Sequence, residues 1–182
     1  MPKNIINMEQ VLLVQENAHV CWRKAAFLAK VHVKNYTPTT LAMVLKEFGS
    51  MDVAVAVTVV ATLGDSVGGN IDDVEEMCRI ISSSKMPAVP VHVDAASGGF
   101  IVPFTKPDLS WDFRQNQVAG INVCSHKFGA CPPSLGWLMV RKRFCFDSFI
   151  SNKLHWKCDY AFRILGPCYP YSHRVSSLID GV

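Results

Sequence analysis

Ten residues from Val53 to Thr62, VAVAVTVVAT, are apolar at nearly every position, and that rhythm predicts a strand buried on both faces. Three further runs have the same character: VPVHVDA (Val89–Ala95), INVCS (Ile121–Ser125) and GWLMVR (Gly136–Arg141). VHVKNY (Val31–Tyr36) alternates apolar and polar residues, as a strand near a sheet edge does. Elsewhere the apolar spacing changes to three and four. Asn17–Lys30 fits a helix with Val20, Lys24, Phe27 and Leu28 on a shared face. A second helix is punctuated at both ends: Thr37 as N-cap, Pro38 in the first helical position, an apolar stripe of Leu41, Val44, Leu45 and Phe48, and Gly49 at the stop. A third, IDDVEEMCRIISSS from Ile71, sets Ile71, Val74, Met77, Cys78 and Ile81 on one side, with Asn70 or Asp72 as its cap. Apolar, β-branched strands separated by amphipathic helices predict an α/β fold, a sheet covered on both faces. The last forty residues, rich in Cys, Tyr and Pro, fit neither rhythm, so the chain divides into 1–143 and a divergent tail, 144–182.

Bulk composition narrows the partners. A chain of 182 residues with 49% hydrophobic and 18% charged residues is long and apolar enough for one folded domain. A net charge of +3 is too small to argue for nucleic acid, and the one basic cluster, Arg141-Lys142-Arg143, reads as a solvated strand end. Seven cysteines without a C-x-x-C pair fit reduced thiols and a cytoplasmic location rather than a disulfide framework or a metal knuckle. The N-terminal MPKNIINMEQVLLV has an apolar run of four, too short for a signal sequence. The longest apolar run, Val53–Leu63, is 11 residues, about half of a bilayer span, so no membrane association is expected.

In α/β sheets ligands collect outside the carboxyl ends of the strands. Three such ends carry polar groups here: Thr62–Ser66, Asp94–Ser97 and Ser125–Lys127. Taken singly, Asp94 is a turn or cap residue, Lys127 a solvated loop residue and His19 a histidine on a helix surface. Taken together they say more. Asp94 is followed by Ala95, Ala96, Ser97, Gly98 and Gly99, which leave room for a flat ring beside the acid. An amine then closes a later strand. Pyridoxal phosphate needs an acid and an amine so arranged: the amine condenses with its aldehyde, and the acid keeps the pyridine nitrogen protonated. The competing phosphate loop, GDSVGG (Gly64–Gly69), lacks both G-x-G-x-x-G and the Walker lysine of a nucleotide-binding module.

PVHVDAASGGFIVPFTKPDLSWDFR (Pro90–Arg114), INVCSHKFG and LGWLMVRKR, in this order and spacing, closely resemble the glutamate decarboxylases, group II pyridoxal-phosphate-dependent decarboxylases of the aspartate-aminotransferase fold type. The resemblance runs from about Asn17 to Arg143. It implies part of that family's large domain, with a mostly parallel sheet flanked by helices, pyridoxal 5'-phosphate as cofactor, and decarboxylation of L-glutamate to 4-aminobutyrate and carbon dioxide. By the same resemblance Lys127 matches the lysine that forms the Schiff base, Asp94 the acid at the pyridine nitrogen, and Ala96 the small residue against the ring. TLGDS places Thr62 and Ser66 near the cofactor, and His126 is a phosphate contact or acid. His19 matches a position that stacks on the ring, typically glutamine in glutamate decarboxylases and histidine in the aromatic amino-acid decarboxylases. Where the family reads S-G-H-K, this chain reads Cys124-Ser125-His126-Lys127, so a thiol stands in for a phosphate-holding hydroxyl, with Ser125 one place later. The resemblance also implies a homo-oligomer in the full-length form, and a fragment here, since the family's phosphate cup and substrate-binding arginine have no counterpart in the sequence. Two alternatives stay open: a non-catalytic, truncated or partner-binding remnant, and a group II decarboxylase acting on aromatic amino acids.

Overall fold

The computed structural model of the chain describes residues 8–132, 135–144, 155–157 and 160–165. The remainder of the tail 144–182 lies outside the described residues. Eight strands form one sheet: β1 (Glu9–Val14), β2 (His32–Asn35), β3 (Val55–Thr62), β4 (Val91–Asp94), β5 (Val118–Cys124), β6 (Gly136–Arg141), β7 (His155–Lys157) and β8 (Tyr160–Leu165). Their order is β2-β1-β3-β4-β5-β6-β8-β7. The pairings from β2 through β5 are parallel, while β5–β6, β6–β8 and β7–β8 are antiparallel. The expected α/β fold with a mostly parallel sheet is therefore the one observed.

Strand parity divides the sheet into two faces. Val11, Leu13, Val57, Val59, Ala61, Val91, Val93, Ile121 and Val123 pack into the main core with Leu41, Val44, Leu45 and Phe48 of helix α2 (Leu41–Phe48) and with Val74, Met77, Cys78 and Ile81 of helix α3 (Val74–Ser82). The other face buries a small cluster, Val14, Ala18 and Val60, with Leu12 and Trp22 against it. Trp22 belongs to helix α1 (Cys21–Ala29), whose one buried residue is Ala26.

Several local expectations shift. Helix α1 is shorter than Asn17–Lys30, and its Val20, Lys24, Phe27 and Leu28 point outward, with Phe27 82% and Leu28 81% exposed. For α2, Thr37 and Thr40 exchange reciprocal bonds, each backbone N–H donating to the other's hydroxyl at 2.8 and 3.3 Å, which closes a capping box ahead of the regular helix at Leu41. Helix α3 is capped by neither Asn70 nor Asp72 but by Asp73, which accepts the Glu76 N–H at 2.9 Å. Asp72 is engaged instead by the Thr62 N–H at 2.7 Å. Arg141 is no solvated strand end: its guanidinium donates to the Val118, Phe113 and Gln115 carbonyls, binding the end of β6 to the entry of β5. Among the described residues no helix is long and apolar enough to cross a membrane.

Candidate functional site

The parallel register aligns the carboxyl ends of β3, β4 and β5. Thr62 lies beside Asp94, and Asp94 beside Asn122. All three have the parity of the thinly covered face. A cavity of ≈ 330 Å³ opens there. Eight of the nine residues singled out from the sequence line it: His19, Thr62, Ser66, Asp94, Ala96, Cys124, His126 and Lys127. Ser125 does not. It shares the parity of Ile121 and Val123, is 1% exposed, and its hydroxyl accepts the Trp137 indole N–H. The structure also brings in Cys21, Asp65, Ser97 and Asn122, which sequence reasoning did not assign to the site.

Asp94 is 5% exposed, and both of its oxygens accept hydrogen bonds. Its Oδ2 accepts the Trp22 indole N–H at 2.8 Å. Its Oδ1 accepts the Asn122 side-chain amide at 2.8 Å and the Ala96 backbone N–H at 3.2 Å. A buried carboxylate with three donors is fixed in place and compensated for its lost hydration. Lys127 sits exposed at the mouth, its Nζ donating to Ser97 Oγ at 3.1 Å. His126 Nδ1 lies 3.1 Å from the Leu135 carbonyl, and His19 Nδ1 accepts the Cys21 N–H at 3.3 Å. The Cys21 thiol is pushed up by burial and then by the Asp94 charge.

Two loops form one wall. The Leu63 N–H donates to the Asp94 carbonyl and the Gly98 N–H to the Leu63 carbonyl, both at 2.8 Å. A Cβ on Gly98 would stand 2.3 Å from that Leu63 oxygen, so this approach requires glycine. Asp65 organises the glycine-rich turn. Its Oδ1 accepts the Val67, Gly68 and Gly69 N–H groups, and its Oδ2 the Asn17 and Asn70 amides. Those donors, the Asn70 amide foremost, hold the Asp65 carboxyl well below the usual carboxylate range. GDSVGG is thus a loop closed on its own carboxylate, with its N–H groups turned inward, rather than an open phosphate cradle.

The family model for the pyridoxal-dependent decarboxylase conserved domain matches residues 1–160. The chain belongs to the pyridoxal-dependent decarboxylase family. It is similar to the glutamate decarboxylase of Solanum lycopersicum, 38% identical over 139 residues, which cover 70% of this chain and 26% of that one. To the glutamate decarboxylase of Lactococcus lactis it is 30% identical over 178 residues, 92% of this chain and 36% of the relative. Among solved structures, Lactobacillus brevis glutamate decarboxylase superposes with a TM-score of 0.58 at 31% identity, over 72% of this chain and 31% of that one. The chain therefore spans about a quarter to a third of the length of the relatives it matches.

For a pyridoxal-dependent decarboxylase, the donor set of this cavity fits the cofactor's demands. A compensated carboxylate and a primary amine share one small cavity. Thr62 Oγ1, in a residue 5% exposed that lines the cavity, has no hydrogen-bond partner among the described residues, an orphaned buried hydroxyl that a polar ligand atom would satisfy. Ser66, Ser97, Cys124 and His126 supply the remaining polar groups of the lining.

Proposed function

We propose that this chain is the cofactor-binding part of a pyridoxal-phosphate-dependent glutamate decarboxylase, converting L-glutamate to 4-aminobutyrate and carbon dioxide. The observation that carries the reading is the Lys127 amine and the buried Asp94 carboxylate on one cavity at adjoining strand ends. When bound, pyridoxal phosphate supplies the electron sink for the pair released as carbon dioxide leaves. Lys127 offers the primary amine that would hold the cofactor's aldehyde. Asp94 keeps a proton on the ring nitrogen. Ala96 would pack against the ring, and His19 would stack on it. Thr62 donates its unpartnered hydroxyl, and Ser66, Cys124 and His126 serve the polar ends, with His126 placed to contact the phosphate or move a proton. Ser125 acts indirectly, two residues before Lys127, by accepting the Trp137 indole N–H. The similarity of glutamate decarboxylases from a plant and from bacteria supports glutamate over an aromatic substrate. With that reading go a cytoplasmic location and a homo-oligomer in the full-length form.

The test joins this chain to the flanking regions of a glutamate decarboxylase and measures carbon dioxide release from glutamate, aspartate and tyrosine. Glutamate is expected to lead, with activity abolished by Lys127→Ala. A preference for tyrosine that reverses on His19→Gln would transfer the chain to the aromatic amino-acid branch.

A further inference from the structure

Two residues of the cavity lining, Asp94 and Asn122, close a ring of four side chains with His92 and Trp22 behind them. His92 and Asp94 are two residues apart on β4 and share a face, while Gly120 and Asn122 occupy the matching positions on β5. Asn122 spans the pair. Its Nδ2 donates to Asp94 Oδ1 at 2.8 Å, and its Oδ1 lies 2.8 Å from His92 Nε2. The orientation of the amide follows from chemistry. Turned over, Asn122 would set an oxygen against a buried carboxylate, so the nitrogen faces Asp94. The oxygen then faces His92, and the imidazole must donate through Nε2. The ring is clamped on both sides. Trp22 stands edge-on to it, centroids 5.0 Å apart, while a Cβ on Gly120 would come within 2.8 Å of Nδ1. Trp22 returns to the start by donating to Asp94 Oδ2.

The two carboxylate oxygens are left unequal. Oδ1 accepts from Asn122 and from the Ala96 N–H, which fills its two lone pairs. Among the described residues Oδ2 accepts from Trp22 alone and keeps one lone pair for a further donor. We propose that His92 and Asn122 are positioning residues for Asp94: the relay from His92 Nε2–H through Asn122 fixes the carboxylate's rotation and directs the spare lone pair of Oδ2 to the N–H of a bound pyridinium ring. Burial lowers the pKa of the His92 imidazole, against the pull of Asn122 and Asp94, which accords with a neutral ring that donates from one nitrogen. The ligand in this inference rests on the cofactor reading above; the relay itself does not.

The experiment has two arms, both on the full chain. In the first, nitrogen-15 NMR of the protein without cofactor reads the His92 tautomer near neutral pH. Protonation at Nε2 with Nδ1 bare is expected; a proton on Nδ1, alone or in the cation, overturns the relay. In the second, pyridoxal phosphate is titrated into wild type, His92→Phe, Asn122→Leu and His92→Gln, following the visible band of the Lys127 adduct and confirming the attachment site by borohydride trapping. Asn122→Leu loses the side-chain donor to the buried carboxylate, and His92→Phe loses the donor that orients Asn122; each is expected to weaken binding about tenfold. His92→Gln, whose amide N–H reaches the same oxygen, should stay within about twofold of wild type, a rescue that packing alone would not give. Equal binding by wild type and His92→Phe, or no rescue by His92→Gln, overturns the proposal. If wild type takes up no pyridoxal phosphate at Lys127, the cofactor reading fails, and the NMR arm still decides the relay.

Discussion

The two faces of this sheet are made from the same strands and have different tasks. Against α2 and α3, the inward residues of β1, β3, β4 and β5 are buried aliphatic side chains, chiefly valines, in one continuous core. Against α1 the buried apolar set shrinks to Val14, Ala18 and Val60, and the positions beyond them carry Thr62, His92, Asp94 and Asn122. The division runs through consecutive residues: Val93 is core, while Asp94 is site. Alternation is the reason, because a strand's period of two lets stability and chemistry be written on one segment without competing for space. Substitutions one residue apart should therefore report on different properties.

The largest effect is expected on the closed face. Leu45 of α2 is fully buried in the main core, and Leu45→Ala should cost about 2–5 kcal/mol of unfolding free energy, read from denaturant titration. Across the sheet the sign reverses. Thr62→Val removes a buried hydroxyl that has no partner, so the protein without ligand should gain up to about 1 kcal/mol while pyridoxal phosphate binds less well. A loss of stability without change in binding would show that Thr62 belongs structurally to the core. The smallest effect is confined to acid and to one loop. The Asp65 carboxyl is depressed in the folded protein, so its contribution is fully present above the ordinary carboxylate pKa and is lost as pH falls through the lower, folded value. Hydrogen exchange at the Val67, Gly68 and Gly69 amides should keep its protection through pH 4 and lose it only in stronger acid, whereas Asp65→Ala, which has no acceptor, should remove it at every pH.

Residues whose placement is set locally were legible in the sequence. Lys127 and Asp94 stand out because each follows an apolar run at a strand end, and the stripes of α2 and α3 fall on the core as spaced. Strand β1 was not legible. Its apolar core is only VLLV, yet it sits between β2 and β3 in the sheet. Helix α1 misled through its composition: apolar residues occur all around it, so periodicity alone could not say that Phe27 and Leu28 face outward while Ala26 is buried. Strands β7 and β8 fall in the stretch where no pattern was found. In the site, Trp22 and Asn122 reach Asp94 from 72 and 28 residues away, Asn122 through strand register and Trp22 through the placement of helix α1 on the sheet. Asn122 did leave a signal, a polar residue inside the buried strand VAGINVC on the parity of Gly120. Parity also separates Cys124, on the cavity, from Ser125, on the core side.

The central claim is that the thinly covered face is a pyridoxal phosphate site built on Lys127 and Asp94. Incubation with pyridoxal phosphate, reduction with borohydride and peptide mass analysis tests it directly. The account predicts the reduced cofactor mass on the Lys127 peptide, and its loss in Lys127→Ala without transfer to another lysine. Labelling spread evenly over the surface lysines, unchanged by Lys127→Ala, would contradict it.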